Sequence, residues 1–194
     1  MKALILNGET NRSNNLARFS KKIADSLIKH GFELKEIKLH EKKIDDCLGC
    51  FKCWTKTPGL CIIKDDADQI LADIINSELL IFLSPVVFGS YSYQLKKELD
   101  RMIPLISPFF KKIDGEIHHK KRYKNYPSIL GVGIIDEENK KEKETFIRLV
   151  RNNALNFHSP AVECLIVKGE SDFKDDIIDD KIKNIITKAG VMNG

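Results

Sequence analysis

Short apolar runs alternate with longer amphipathic segments along this chain. Five runs have the length and composition of strands, and they cover residues 2–7, 32–39, 78–85, 126–135 and 161–167. The run at 78–85 is apolar almost throughout, which is typical of a strand buried on both faces, whereas 32–39 alternates apolar and polar side chains like a half-buried strand.

The segments between these runs carry apolar residues at helical spacing. They cover residues 16–30, 66–75, 95–103, about 141–157 and 178–186. The first ends at His30–Gly31, and Asp65 or Asp66 can cap the second. Strands that alternate with helices predict right-handed crossovers and a parallel sheet covered on both faces. We therefore predict one α/β domain over residues 1–194, a three-layer α/β/α sandwich with a five-stranded parallel sheet.

Two segments do not fit the alternation. One is a cysteine-rich loop at 44–64, and the other is a basic stretch at about 107–125 that ends in HHKKRYK. We interpret the basic stretch as an irregular insertion, because it shows neither helical nor strand periodicity.

Composition narrows the class of protein. The 32 basic and 28 acidic residues give a net charge of +4, a mild and interspersed excess that suits anionic ligands but does not indicate a nucleic-acid partner. We find no secretory signal at the start and no apolar run long enough to span a bilayer, so we expect a soluble cytoplasmic protein with no membrane partner.

Three loops follow predicted strands at the edge of the sheet where ligands of such folds bind. The loop at 7–18 is rich in Asn, Ser and Thr and opens a helix, whose free amides can hold a phosphate. The loop at 84–101 places Pro85 and Gly89 around a bend, and in the third, residues 131–138, glycines interrupt an otherwise β-branched strand. Ordinary turns would explain each loop equally well.

Four of the five cysteines lie within fifteen residues. Cys47, Cys50 and Cys53 are spaced C-x2-C-x2-C, and Cys61 follows a Pro58–Gly59 turn. This spacing resembles the ligand run of an iron–sulfur cluster, whereas structural zinc usually takes two separated pairs. Free or redox-active thiols, zinc and a disulfide remain open. Cys164 stands alone in an apolar run and is interpreted as a buried structural thiol.

The combination of motifs resembles a known family. A polar loop after the first strand, SPVVFGS before a helix ending LDR, and CLGCFKCW followed by GLCIIKDD are similar to the flavodoxin-like NAD(P)H-dependent FMN reductases, and within them to the iron–sulfur flavoproteins. The resemblance covers residues 1 to about 136. It implies a flavodoxin-like fold, a phosphate seat in the first loop and an isoalloxazine site between the second and third loops.

The resemblance also implies particular site residues. Those assigned to FMN are Asn11, Arg12, Ser13, Asn14, Asn15, Pro85, Val86, Val87, Phe88, Gly89, Ser90, Gly131, Gly133 and Asp136. Those assigned to a 4Fe-4S cluster are Cys47, Cys50, Cys53 and Cys61. Glu9 stands where the family usually has serine, in a loop one residue shorter. Because an acid is unfavourable beside a phosphate, we expect Glu9 to point away from the seat.

The implied function is that of an FMN-dependent redox protein that moves electrons between a two-electron donor and one-electron carriers, with no catalytic side chain. NAD(P)H is the implied donor, and a small molecule or a ferredoxin-like protein is a candidate partner. The resemblance also implies a homodimer or homotetramer. The alternatives are a cluster-free NAD(P)H-dependent FMN or quinone reductase, and a non-enzymatic zinc-binding module on the same fold.

Overall fold

The main sheet is parallel and has five strands. The computed structural model describes residues 1–10, 16–113, 115–169 and 172–190 of the chain. Its strands are β1 (Lys2–Asn7), β2 (Glu33–Lys38), β3 (Leu79–Pro85), β4 (Ile106–Ile113), β5 (Glu116–Lys121), β6 (Ser128–Ile135) and β7 (Val162–Lys168). Five of them pair in the order β2-β1-β3-β6-β7, and every pairing in this sheet is parallel. The predicted five-stranded parallel sheet is confirmed.

Helices cover both faces of the sheet. They are α1 (Ala17–Lys29), α2 (Lys52–Thr55), α3 (Ala67–Ile75), α4 (Tyr93–Arg101), α5 (Lys140–Asn156) and α6 (Asp175–Ala189), with short 3-10 turns at Leu39–Glu41 and Ile103–Leu105. In the described part of the chain, every helix is too short or too polar to cross a membrane.

The core is divided between the two faces of the sheet. Side chains of α1 and α6 pack together on one face, and those of α3, α4 and α5 pack on the other. The central strands β3 and β6 are buried along their whole length, whereas the edge strand β2 is mostly exposed. This is the predicted three-layer sandwich, in which α1 and α4 leave the sheet on opposite faces.

The basic stretch is not irregular as predicted. Residues of β4 and β5 pair antiparallel, with Phe110 opposite His119 and Lys112 opposite Ile117. The sequence contained a hairpin signal, because Asp114–Gly115 separates two runs that carry β-branched and aromatic residues. Dense lysines obscured the alternation, since both faces of much of this ribbon are exposed to solvent.

Candidate functional site

The strand order reverses between β1 and β3, and their carboxyl ends lie side by side. Asn7 at the end of β1 is in register with Leu83 of β3. The chain leaves β1 toward α1 on one face and leaves β3 toward α4 on the other. Loops that diverge in this way open a crevice, and in parallel sheets that crevice is where ligands bind.

Gly8 and Ser92 tie the two loops together at the base of this crevice. The Gly8 amide donates to the Leu83 carbonyl at 2.8 Å, and the Ser92 hydroxyl donates to the Gly8 carbonyl at 2.6 Å. A Cβ on Gly8 would lie 2.8 Å from Ser92 Oγ and 2.9 Å from Leu95 Cβ, so only glycine permits this approach. Ser92 also caps α4 by accepting from the Leu95 amide. The start of α4 is therefore fixed to the end of β1.

The second predicted loop forms a tight turn at the rim of the crevice. Val86 continues the sheet by donating to the Ile134 carbonyl at 2.8 Å, and Val87 and Ser90 exchange backbone hydrogen bonds at 2.9 Å. Phe88 and Gly89 fill the turn with positive φ angles of 51° and 77°. Phe88 is 91% exposed and Val87 is 45% exposed. The turn thus presents an unpacked apolar surface, although Pro85 is buried in β3 and Gly89 packs against α5.

In the third predicted loop, Gly131 and Gly133 are buried and Asp136 is exposed. A Cβ on Gly131 would lie 2.6 Å from Val150 Cγ2, and one on Gly133 would lie 2.8 Å from Val86 Cγ2 and 2.9 Å from Phe146 Cε1. Both glycines are buried in β6 and allow α5 to approach the sheet. The structure therefore shows a packing role for both glycines, and the flavin contact stays a prediction. Asp136, just beyond β6, is exposed at the edge.

The predicted phosphate ligands Asn11, Arg12, Ser13, Asn14 and Asn15 lie outside the described residues. Glu9 is described, and the expectation that it points away is wrong. Its amide donates to Asn7 Oδ1 at 3.0 Å, and its carboxylate accepts from the Leu16 amide at 3.1 Å. The start of a helix attracts a carboxylate through its free amides and its dipole. Glu9 thus occupies one amide at the start of α1.

The four clustered cysteines line one cavity. It is small, with a volume of about 20 Å³, and Cys47, Cys50, Cys53 and Cys61 all contribute to its wall. Positive φ angles at Gly49 (60°) and Phe51 (53°) turn the chain between successive cysteines. Phe51 is a non-glycine residue in this conformation, which carries a strain that folded proteins tend to concentrate at functional sites.

The thiols share the cavity without converging on one point. Cys53 is buried, Cys47 and Cys61 are half-buried, and Cys50 is exposed. Burial raises the pKa of the Cys53 thiol, and the neighbouring thiols raise it further. Among the described residues, no three His, Cys, Asp or Glu side chains are close enough together to hold a metal ion.

Trp54 anchors the cysteine loop to the rest of the fold. Its indole Nε1 lies 3.2 Å from the Ile103 carbonyl and 3.0 Å from the Ile106 carbonyl, and it donates to both. The ring stacks on Phe51 and contacts His119 of β5, with centroid distances of 5.1 Å in each case. The loop is thereby attached to both the end of α4 and the β4–β5 hairpin.

Sequence reasoning missed two buried charged residues on α4. Arg101 and Glu98 both lie in the interior, with exposed fractions of 1% and 0%. Arg101 belongs to the LDR motif, but its pairing with Asp65 across 36 positions left no local signal. Asp65 was predicted to cap α3, and it does accept from the Ala67 amide at 3.0 Å, but it also forms a buried ion pair with Arg101.

Together, the strand order and the helices on both faces define a class: an α/β protein of the flavodoxin-like type with its switch point between β1 and β3. Residues 1–120 match the family of NADPH-dependent FMN reductases, and the chain belongs to that family.

Curated relatives match about half of the chain. An iron-sulfur flavoprotein of Methanocaldococcus jannaschii is 34% identical over 105 residues, which are 54% of this chain and 53% of that protein. An iron-sulfur flavoprotein of Archaeoglobus fulgidus is 32% identical over 104 residues, 54% of this chain and 46% of that protein. The chain thus spans about half the length of the curated relatives it matches.

Solved structures share the fold over nearly the whole chain. The NAD(P)H:quinone oxidoreductase of Methanothermobacter marburgensis superposes with a TM-score of 0.65 at 13% identity, covering 100% of this chain and 98% of that one. An azoreductase of Bacillus anthracis superposes with a TM-score of 0.62 at 15% identity, covering 98% and 97%. At this identity the likeness establishes the flavodoxin-like fold.

Proposed function

We propose that the chain is an FMN-dependent oxidoreductase that also holds a 4Fe-4S cluster on Cys47, Cys50, Cys53 and Cys61. In this role it moves electrons between a two-electron donor, NAD(P)H, and one-electron carriers. The observation that carries the proposal is that all four cysteines line a single cavity on a domain of the FMN reductase family.

The crevice between β1 and β3 supports FMN binding. The exposed turn at Val87 and Phe88 offers an apolar surface for the isoalloxazine ring, with Ser90 and Asp136 at the same edge. The phosphate would lie at the start of α1, where Asn11 to Asn15 supply further amides and the Arg12 charge. Bound FMN supplies the hydride and electron chemistry, and the protein contributes binding, orientation and exclusion of water.

The spacing of the thiols along the chain favours a cluster over zinc. Ligands of a single tetrahedral zinc ion lie within about 4 Å of one another, because each Zn–S bond is about 2.3 Å long. In a cubane each cysteine binds a different iron, so the four sulfurs surround a larger volume. Because no three of the described His, Cys, Asp or Glu side chains converge on one point, the preference for a cluster rests on the C-x2-C-x2-C spacing. The relatives named iron-sulfur flavoproteins give independent support.

The exposure of Cys50 supports a second candidate, the cluster-free reductase. Cys50 is exposed and the cavity is open to it, so the same loop could shape a substrate site with free thiols. Both candidates require reduced cysteines, and we therefore propose a cytoplasmic location. The zinc module would lack flavin altogether.

A partner of the chain would meet an exposed apolar and basic surface. Phe109, Phe110 and Ile117 on the hairpin are 58–74% exposed, and Lys111, Lys112, Lys120 and Lys121 surround them. We propose that this side serves association with an acidic electron carrier or with a second copy in a homodimer or homotetramer. A ferredoxin-like donor or acceptor has the appropriate charge.

Anaerobic purification with assays for flavin, iron and acid-labile sulfide tests the proposal. We expect about one FMN, four irons and four sulfides per chain, the stoichiometry of one flavin and one cubane. Flavin without iron and sulfide would favour the cluster-free reductase, and zinc without flavin would favour the zinc module.

The ligand assignment has its own test with a matched control. Cys50→Ser is expected to lower iron and sulfide, whereas Cys164→Ala is expected to leave both at the wild-type level, since Cys164 lies in β7 and does not line the cavity. Wild-type iron content in Cys50→Ser would remove Cys50 from the ligand set.

A further inference from the structure

Arg101 is a buried cation at the wall of the cysteine cavity. Its side chain has no solvent exposure, and neither has that of Asp65, with which it pairs. Nη1 lies 2.6 Å from Asp65 Oδ2 and Nη2 lies 3.1 Å from Oδ1, an arrangement in which both ends of the guanidinium donate to one carboxylate. Nη1 also donates to the Asp45 carbonyl at 2.8 Å, and Nη2 to the Ile63 carbonyl at 3.3 Å.

These contacts connect the two ends of the cysteine loop to α4. Asp45 precedes Cys47 by two residues, and Ile63 follows Cys61 by two. The Asp65 carboxylate also accepts from the Asp45 amide at 2.9 Å. One guanidinium therefore fixes the points where the cysteine-bearing segment begins and ends.

One donor of Arg101 is left over. Nε is buried and has no hydrogen-bond partner among the described residues. A buried guanidinium donor without a partner is uncommon, because each unmade bond carries the cost of desolvating the group. Arg101 lines the cavity together with the four cysteines, so the space beside the side chain is the space that the thiols share.

The buried charges at this wall of the cavity nearly balance, which leaves the free Nε donor as the feature that favours an anionic sulfur. Asp65 supplies one negative charge against the guanidinium. Glu98, one helical turn away, has a pKa raised to about 8 by burial and therefore adds little negative charge at neutral pH.

We propose that Arg101 is a positioning residue of the cysteine cavity, in which Nε donates to a sulfur and this hydrogen bond raises the reduction potential of the cluster. The proposal rests on the function proposed above. Hydrogen bonds to the sulfurs are one of the factors that set iron–sulfur potentials, and a donor favours the state with more negative charge.

The test compares midpoint potentials in reconstituted, anaerobic protein, followed by electron paramagnetic resonance during a redox titration. The double variant Asp65→Asn/Arg101→Gln removes both charges and leaves no unpaired buried ion. Lys21→Gln/Asp25→Asn is the matched control, because it makes the same change in charge at an exposed pair on α1. The flavin potential of each sample is an internal reference.

We expect a lower cluster potential in Asp65→Asn/Arg101→Gln, with the control at the wild-type value. Arg101→Lys is the second variant should the double variant fail to fold. It keeps a cation for Asp65 but has no Nε donor, so we expect a shift in the same direction. A structural role alone would lower iron content without moving the potential of the clusters that remain.

The outcomes separate this inference from the proposed function. Wild-type protein that takes up no iron and sulfide would refute the cluster itself, and with it the inference. A wild-type cluster whose potential is unchanged in both Arg101 variants would overturn the role of Arg101 and leave the cluster standing.

Discussion

Replacing Gly131 with alanine tests whether this position serves packing or flavin approach. The added Cβ would lie 2.6 Å from Val150 Cγ2 and 2.8 Å from Cγ1. Real Cβ atoms essentially never come this close to another heavy atom, so β6 and α5 must move apart. If packing is the reason for glycine, the cost appears in stability and is independent of flavin.

The size of the effect follows from two opposing contributions. Overpacking a core costs about 1–3 kcal/mol, and contacts with two methyl groups place Gly131→Ala in the upper half of that range. Alanine also lowers the conformational entropy of the unfolded chain, which stabilises the folded state by about 0.4–1 kcal/mol. We therefore expect a net loss of about 1–2 kcal/mol, which lowers the melting temperature by about 2–8 °C for a chain of this length.

The assay is urea unfolding of flavin-free protein in a double-mutant cycle with Val150→Ala. Removal of the two methyl groups makes room for the new Cβ, so Gly131→Ala should become stabilising in that background, with a coupling of at least about 1 kcal/mol. Gly133→Ala is the matched control. Its Cβ would meet Val86 and Phe146 instead, and Val150→Ala should not rescue it. Additive free energies, or FMN affinity that falls while stability does not, would refute the packing argument.

Three further predictions concern charged and thiol groups. Burial raises the pKa of Glu98 from 4.5 to about 8, so the folded state keeps a proton that the unfolded state releases, and the free energy of unfolding falls as pH rises between these values. Glu98→Gln should reduce this loss of stability, which is at most on the order of 4–5 kcal/mol. Urea midpoints that change in parallel for both proteins from pH 5 to 9 would contradict this prediction. In apo protein at pH 8, maleimide should label exposed Cys50 well before Cys164, whose pKa burial raises to about 12; equal labelling rates in peptide mass spectra would contradict this. Glu9→Gln should tighten FMN binding by about fivefold, because it removes about 1 kcal/mol of repulsion between the carboxylate and the phosphate. Riboflavin, which has no phosphate, should bind as before. Equal tightening of both flavins would show that the Glu9 charge does not act on the phosphate.

Periodicity predicted the sheet well because each of its strands is bounded by an amphipathic helix. The boundaries of β1 agree with the sequence reading to the residue, and those of α5 agree within one. The same reasoning failed for β4 and β5, because a two-stranded ribbon exposed on much of both faces has no alternation to detect. The hairpin signal lay in its turn residues and not in the strands.

For the candidate sites, too, local sequence signals were found and long-range ones were missed. Cysteine spacing is local and could be read directly, so the four thiols of the cavity were found together. Arg101 could not be found, since what makes it part of the site is a partner 36 positions earlier. For the glycines in β6 the sequence signal was incomplete. The sequence shows that a glycine allows close approach, but only the structure shows that the approaching group is Val150.

Helix α4 has a consequence for the spacing of the two sites. It starts at Ser92, which is bound to the crevice, and ends at Arg101, which is bound to the cysteine loop. Its nine residues rise about 13 Å, and each residue turns the helix by about 100°. A single inserted residue would leave Ser92 in place and rotate Arg101 out of the cavity wall. The number of residues in this one helix therefore sets both the distance and the relative orientation between the β1/β3 crevice and the cysteine cavity.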